Sequence, residues 1–313
     1  MNSVHELIEQ LRKSDYVREK RFGDISSFNF TRSAFYEGHW NAVTTKARGL
    51  FINTRTEKIV ARGYDKFFNV DENSQTTMDA IRQKILFPIK VYKKENGFLG
   101  LISWDHEKDD FFFATKSMME GPYVDTLKHL FFTTGINTEE VKAFLREDNS
   151  TMIVEVIDPV FDPHIIEYET AHLVLLDIVA NALSTAYMPY WRLTIQASNF
   201  HMEIKKLQST LMKFPSLEII KLLCDKPYFV DESGKPFEGY VFRDARNFMF
   251  KMKTAYYLKW KRYRRYADML LNGKQPQVKG DLFLAWVEKN KDKLGCKSII
   301  EMRNLYEADS TEL

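Results

Sequence analysis

The hydrophobic pattern changes period several times along the chain, and each change marks an element. Val4, Leu7, Ile8 and Leu11 recur at helical spacing behind Ser3, which predicts an opening amphipathic helix over residues 3–14. From Lys46 the period shortens. Apolar runs at 47–52 and 58–62 flank the polar stretch Asn53 to Glu57 and predict a hairpin, with a further extended run at 64–70. A helix over about 76–86 ends before Pro88, because the residue preceding a proline disfavours helix. Strand 89–92 then delivers the chain to Lys93-Lys94-Glu95-Asn96-Gly97.

A second hairpin is predicted at 97–104 and 111–115, followed by helices at 123–132 and 138–146. Residues 151–157 alternate, and 172–181 are apolar enough for a central strand. Helices are predicted at 203–213 and 217–224, and strands at 238–242 and 248–253. After Thr254 the character becomes helical throughout, at 256–271, 280–293 and 298–306. The expectation is an α+β fold with a domain boundary at Thr254: residues 1–254 form the main domain and 255–313 a small all-helical one.

Composition narrows the class without naming a chemistry. A net charge of +2 over 313 residues neither demands nor excludes a polyanionic partner, so any nucleic acid would be met by local basic clusters. Cys224 and Cys296 are far apart and show no metal-ligand spacing, which fits a reducing compartment. The stretch from Met1 to Asp15 is charged and amphipathic, unlike a secretory leader. The apolar run from Leu173 to Ala180 is interrupted by Asp177 and too short to span a bilayer. A soluble, cytoplasmic protein with no membrane partner is expected.

The candidate chemistry centres on Lys94. A lysine at the end of an apolar strand, with a glycine three residues on, can serve as an amine nucleophile when neighbouring cations and a metal activate it. Gly97 removes Cβ bulk where a nucleotide approaches the backbone. The spacing is weak evidence by itself, since Lys20 to Gly23 and Lys46 to Gly49 repeat it. Lys251 and Lys253 share one strand face, with Phe250 and Met252 on the other; a phosphate grip and a plain solvated face both fit. Glu155 lies between Ile153 and Ile157, so its carboxylate faces a partly enclosed pocket. Glu238 opens a strand at a turn, where it points at a metal or sits as a rim charge.

The order of these residues carries more than any one of them. Arg48-Gly49, Lys66-Phe67-Phe68-Asn69, Lys94-Glu95-Asn96-Gly97, Lys116-Ser117, Glu155, Glu238-Gly239-Tyr240-Val241 and Lys251-Met252-Lys253-Thr254 follow one another over residues 46–256. That succession resembles ATP-dependent RNA ligases of the T-even phage type. Through the run from Ala61 to Val70 it is closer to the ligase module of fungal tRNA ligases.

The resemblance implies a nucleotidyltransferase fold, with antiparallel sheets around an ATP pocket. It implies a reaction that joins a 3′-hydroxyl to a 5′-phosphate on RNA through lysyl-AMP and RNA-adenylate. Lys94 is then the nucleophile, and Glu155 the acid on the adenosine ribose. Glu238 orients Mg2+ or Mn2+ through water. Lys251 and Lys253 hold the phosphates, while Arg48, Lys66 and Lys116 surround the phosphates and the RNA end. Phe68 packs near the nucleotide or serves as ordinary core. Asn96 stands where the phage-type pattern has aspartate, so a second metal-orienting carboxylate is missing. A role in RNA repair, tRNA included, is implied.

In the helical segment, Lys259, Arg262 and Arg265 are candidates for RNA contact, whereas Tyr256, Trp260 and Tyr263 fall on a core stripe. The sequence holds no P-loop and no paired H-x-[ST] motif, so separate enzymes are expected to heal the RNA ends. The competing readings are a catalytically degenerate module that binds RNA ends, and a DNA-end ligase or capping-type nucleotidyltransferase.

Overall fold

The structure, a computed structural model, describes residues 3–278, 280–295 and 297–311. In chain order the elements are helix α1 (Val4–Lys13), strands β1 (Val17–Phe22) and β2 (Ile25–Phe30), and helix α2 (Arg32–Glu37). Strands β3 (Leu50–Asn53), β4 (Lys58–Arg62) and β5 (Phe68–Asn69) and helix α3 (Met78–Lys84) follow. Next come β6 (Ile89–Lys94), β7 (Phe98–Asp105), β8 (Asp110–Thr115), α4 (Pro122–Thr133), α5 (Thr138–Glu147), β9 (Ser150–Ile157) and β10 (His172–Ala180). The remainder is α6 (Tyr190–Asn199), β11 (Glu203–Ile204), β12 (Leu207–Leu211), α7 (Phe214–Cys224), β13 (Gly239–Arg243), β14 (Met249–Lys253), α8 (Ala255–Leu271), α9 (Leu282–Leu294) and α10 (Ile299–Thr311).

Contacts divide the chain into two units interleaved in sequence. The first takes residues through Lys84, Gly97–Ile157 and Ala171–Lys206; the second takes Ile85–Asn96, Asp158–Thr170 and Leu207 onward. Helices α8 to α10 therefore group with β6, β12, β13 and β14 in the second unit.

In the first unit, β1 to β4 form an antiparallel sheet in sequence order. The Ser3 hydroxyl caps α1 by accepting the Glu6 N–H, and the helical spacing turns Leu7, Ile8 and Leu11 onto Phe28, Leu50, Ile52 and Ile59. The second sheet has the order β11-β10-β9-β7-β8, antiparallel except for the β10–β11 pair. All eight residues of β9 are buried because partners flank it on both edges. Val124, Leu127 and Phe131 of α4, Leu145 of α5 and Leu193 of α6 cover this sheet.

In the second unit the strands run β12-β6-β13-β14, each antiparallel to the next. Its helices bury Trp260, Ala267, Leu270, Phe283 and Val287 together with Ile165 and Ile166. Tyr256 and Tyr263 pack partly buried against the same cluster, so the aromatic stripe of α8 is a packing stripe.

One expected element changes type. The helix predicted over 203–213 is instead β11 and β12, because Val174 and Leu175 of β10 pair with Glu203 and Ile204, and β6 pairs with 207–211. Between them Lys205 is buried and its ammonium donates to Asp177 at 2.8 Å, an anchor that a surface helix would not supply. Helices α2 and α6 and the β1–β2 pair were not expected; β1 holds four consecutive charged residues, Arg18 to Arg21, which suits an edge strand. The extended run 64–70 narrows to β5. Cys224 is buried, and Cys296 lies outside the described residues. Among the described residues no helix is long and apolar enough to cross a membrane.

Leu11 is 1% exposed and locks α1 to its sheet. Leu11→Ala is expected to lower unfolding free energy by about 2–5 kcal/mol, measured as a shift of the denaturant midpoint at constant slope.

Candidate functional site

The sequence candidates fall into two clusters, one in each unit. In the second unit, Lys94 is the last residue of β6 and stands in register with Gly239 of β13, which pairs with Lys253 of β14. Three adjacent strand ends thus place Lys94, Glu238 and Lys253 side by side. Glu238, only 2% exposed, accepts from the Lys94 ammonium at 3.0 Å and from the Lys253 ammonium at 2.8 Å. Its backbone is fixed as well: Thr254 N–H donates to the Glu238 carbonyl, and Gly239 has φ +148° with the Met252 carbonyl 2.0 Å from where a Cβ would lie.

Asn96 completes this cluster as a donor. Its Oδ1 accepts the Ile166 N–H at 3.1 Å, and its Nδ2 donates to Glu238 Oε2 at 2.9 Å. Because the Ile166 group is an N–H, the amide oxygen must face it, and that leaves the amide nitrogen for the carboxylate. The Asn96 N–H donates to the Tyr168 hydroxyl, which in turn donates to Glu95. The Lys253 ammonium also lies 4.4 Å from the Tyr257 ring centroid. Lys251 is half-buried two positions back from Lys253, while Phe250 and Met252 are buried between other elements.

Charge in this cluster is strongly coupled. Burial pushes the Glu238 carboxyl up, but the charges of Lys94 and Lys253 and their hydrogen bonds outweigh burial and hold it down at about 2. Lys253 is lowered, first by burial and then by the charge of Lys94, against the pull of Glu238. The two partners shift for different reasons, and the 2.8 Å contact favours both being charged near neutrality.

In the first unit, Glu155 of β9 is buried and accepts the Gly97 N–H at 2.9 Å. Gly97 sits so close to β9 that a Cβ would lie 2.1 Å from the Val156 carbonyl oxygen, so only glycine fits there. The Arg48 guanidinium is lowered by burial, opposed chiefly by the charge of Glu155, and its Nη1 has no hydrogen-bond partner among the described residues. The Gly49 N–H donates to the Lys116 carbonyl, tying the Arg48 turn to the Lys116 loop. Lys116 is lowered by burial of its ammonium and then by Arg48 and Lys66, so these three cations share one field. Lys66 pairs with Glu72 at 2.9 Å, and its ammonium lies 3.7 Å from the Phe68 ring centroid. Lys259, Arg262 and Arg265 lie on the exposed side of α8.

A family model described as RNA ligase, of the T4 type, matches residues 46–257. The chain belongs to this RNA ligase family. It is similar to tRNA ligase 1 of Schizosaccharomyces pombe, 28% identical over 273 residues that cover 76% of this chain and 33% of that protein. The chain spans about a third of the length of the curated relatives it matches. In fold it is similar to a putative ATP-dependent DNA ligase from Aquifex aeolicus, with TM-score 0.57, 16% identity, and coverage of 97% of this chain and 75% of that one. An archaeal ATP-dependent RNA ligase gives TM-score 0.55 and 14% identity, over 96% of this chain and 73% of that one. The α+β fold expected from the motif order is therefore shared with these ligase structures.

Sequence reasoning did not reach Tyr168 or the Ile166 N–H, because the segment 164–168 has no periodicity or motif to single it out. Asn96 was legible as a departure from the family pattern, but its role as a donor was not.

Glu238 makes the stability of the second unit pH-dependent. A carboxyl held below its ordinary value of 4.5 contributes stability that is full above that value and lost as pH falls through about 2. Denaturant unfolding at a series of pH values is expected to show Glu238→Gln less stable than the parent by about 3 kcal/mol above pH 5. The gap should close as the pH approaches 2; a constant gap would mean the carboxylate's charge is not what the lysines hold.

Proposed function

We propose that this RNA ligase family member joins a 3′-hydroxyl and a 5′-phosphate of RNA at the expense of ATP, as a ligase for broken or cleaved RNA including tRNA. The observation that carries this reading is the buried Glu238 carboxylate held between Lys94 and Lys253 at adjacent strand ends. Pure binding of an RNA end has no use for an amine poised in this way.

In the proposed first step the Lys94 ammonium gives up a proton to water. Its neutral Nζ forms a bond to the α-phosphorus of ATP while the bond from that phosphorus to the bridging oxygen breaks, pyrophosphate leaves with the electron pair, and a second proton leaves the nitrogen. Lys253 and Lys251 supply fixed positive charge for the phosphate oxygens, where charge accumulates in the transition state. In this reading Glu155, whose carboxylate accepts the Gly97 N–H, also accepts from the ribose hydroxyls. The buried Arg48 Nη1 suits an anionic oxygen. The AMP then passes to an RNA 5′-phosphate, and a 3′-hydroxyl displaces it.

A divalent cation, Mg2+ or Mn2+, would supply further charge on those phosphate oxygens. Among the described residues no group of three or more His, Cys, Asp or Glu side chains could cage one. A single hard carboxylate, Glu238, fits a cation that keeps most of its water. Asn96 serves the same end as a positioning residue, since its amide orients Glu238. RNA ends are the proposed substrate, with healing of those ends left to other enzymes. Lys259, Arg262 and Arg265 are proposed to meet the RNA backbone.

Incubation with α-labelled ATP and Mg2+, followed by denaturing electrophoresis, tests the first step. The parent is expected to carry label that Lys94→Ala lacks by at least 10³-fold. An unlabelled but folded parent leaves only a degenerate end-binding module. Asn96→Asp is expected to destabilise the metal-free protein by about 1–3 kcal/mol in denaturant unfolding, because a donor to Glu238 becomes a second carboxylate beside it. Unchanged stability would show that Asn96 does not hold Glu238.

A further inference from the structure

The first unit carries a basic groove that the reaction proposed above does not use. It has a volume of about 740 Å3 and lies over β1, the end of β2, the start of α2 and the loop after β8. Arg18 and Lys20 project from alternate positions of β1, Arg32 comes from α2 and Lys116 from the loop, and no acidic side chain lines the groove among the described residues. Arg18, Lys20 and Arg32 are exposed. Except for Lys116, Ser117 and Met118, its lining precedes residue 46 and so lies outside the segment that matches the RNA ligase family.

A second depression, of about 370 Å3, shares Lys116, Ser117 and Met118 with the first. Its other side carries two aromatic rings and one carboxylate, Glu120: Phe98 meets Tyr123 edge-to-face with ring centroids 4.8 Å apart, and Tyr123 is 46% exposed. The two depressions thus form one track, basic over one part and aromatic over the other. The Lys116 ammonium lies 4.6 Å from the Phe30 ring centroid, within the field of Arg48 and Lys66.

Cations spaced along a groove match a phosphate backbone, and a large exposed ring beside them suits an unpaired base. We propose that this track binds single-stranded RNA, with backbone phosphates on Arg18, Lys20 and Arg32, a base against Tyr123, and the strand leading to Lys116. The proposal rests on the ligase reading and deepens it by naming a surface of the first unit that holds the RNA strand. It makes the segment before residue 46 a substrate-binding element.

The test compares the parent with the triple variant Arg18→Ala/Lys20→Ala/Arg32→Ala, none of which belongs to the proposed catalytic machinery. Affinity for a single-stranded RNA oligonucleotide with a 5′-phosphate is measured over a salt series, and lysyl-AMP formation from labelled ATP is measured without RNA. Three lost phosphate contacts should flatten the log–log salt slope by about 2 and weaken binding on the order of 10²-fold at 0.1 M salt. Lysyl-AMP formation should be unchanged. Tyr123→Ala should weaken binding about tenfold with no change of slope. A control variant, Lys13→Ala/Lys58→Ala/Lys128→Ala, removes the same charge from exposed positions elsewhere in the unit and should bind like the parent.

The proposal is overturned if the triple variant keeps the parent's affinity and slope, as it would were this surface a dock for an acidic protein. It is also overturned if the control loses as much, since net charge alone would then explain the effect. Failure of the parent to form lysyl-AMP would count against the ligase reading alone, because the salt slopes are read without ATP.

Discussion

The second unit depends on one buried carboxylate. Glu238 sits among two ammoniums and an amide, and without them a charge so far from water would cost several kcal/mol. The arrangement constrains both sides. The lysines keep the carboxylate ionised, and the carboxylate keeps two like charges, on the strands that flank β13, close enough to act together. Asn96 fits this economy better than aspartate would, since an amide adds a hydrogen bond without a second negative charge. The missing acid of the family pattern is, in geometric terms, a gained donor.

Backbone hydrogen bonding sets up that cluster before any side chain enters. The register Lys94–Gly239–Lys253 runs across three strands, and a one-residue slip in any of them would turn its lysine to the opposite face. Gly239 is needed because its strand crowds the Met252 carbonyl, and Gly97 because its backbone meets β9. In the first unit the logic is similar. Glu155 tolerates its place on a wholly buried strand because the Gly97 N–H points at it. The feature common to both clusters is a carboxylate whose partners are fixed by main-chain geometry.

The cations of the first unit have another character. Burial lowers Arg48, Lys66 and Lys116 alike, the charge of Arg48 lowers the two lysines further and Lys66 lowers Lys116, while Glu155 and Glu72 compensate only in part. Like charges held together at a cost to stability are a reservoir that an anionic ligand can relieve. The basic track of β1 and α2 continues that field to residues outside the family segment, where exposed cations cost little to hold.

Much of this was legible in the amino-acid order. Strong periodicity placed α1, the hairpins β3–β4 and β7–β8, the strands β9 and β10, and the helices after Thr254, because local patterns of apolar residues report directly which face is covered. The ordered motifs from Arg48 to Lys253 marked the family. What the sequence left undecided was whatever depends on a distant partner. Residues 203–213, expected as a helix, form β11 and β12 because β10 and β6 offered edges. Lys253 fitted a phosphate grip and a solvated face alike until Glu238 was found accepting from its ammonium. Asn96 read as a loss until the Ile166 N–H, 70 positions away, fixed which way its amide points. Periodicity along the chain determined the elements; hydrogen bonds between residues far apart in sequence decided what the charged side chains among them can do.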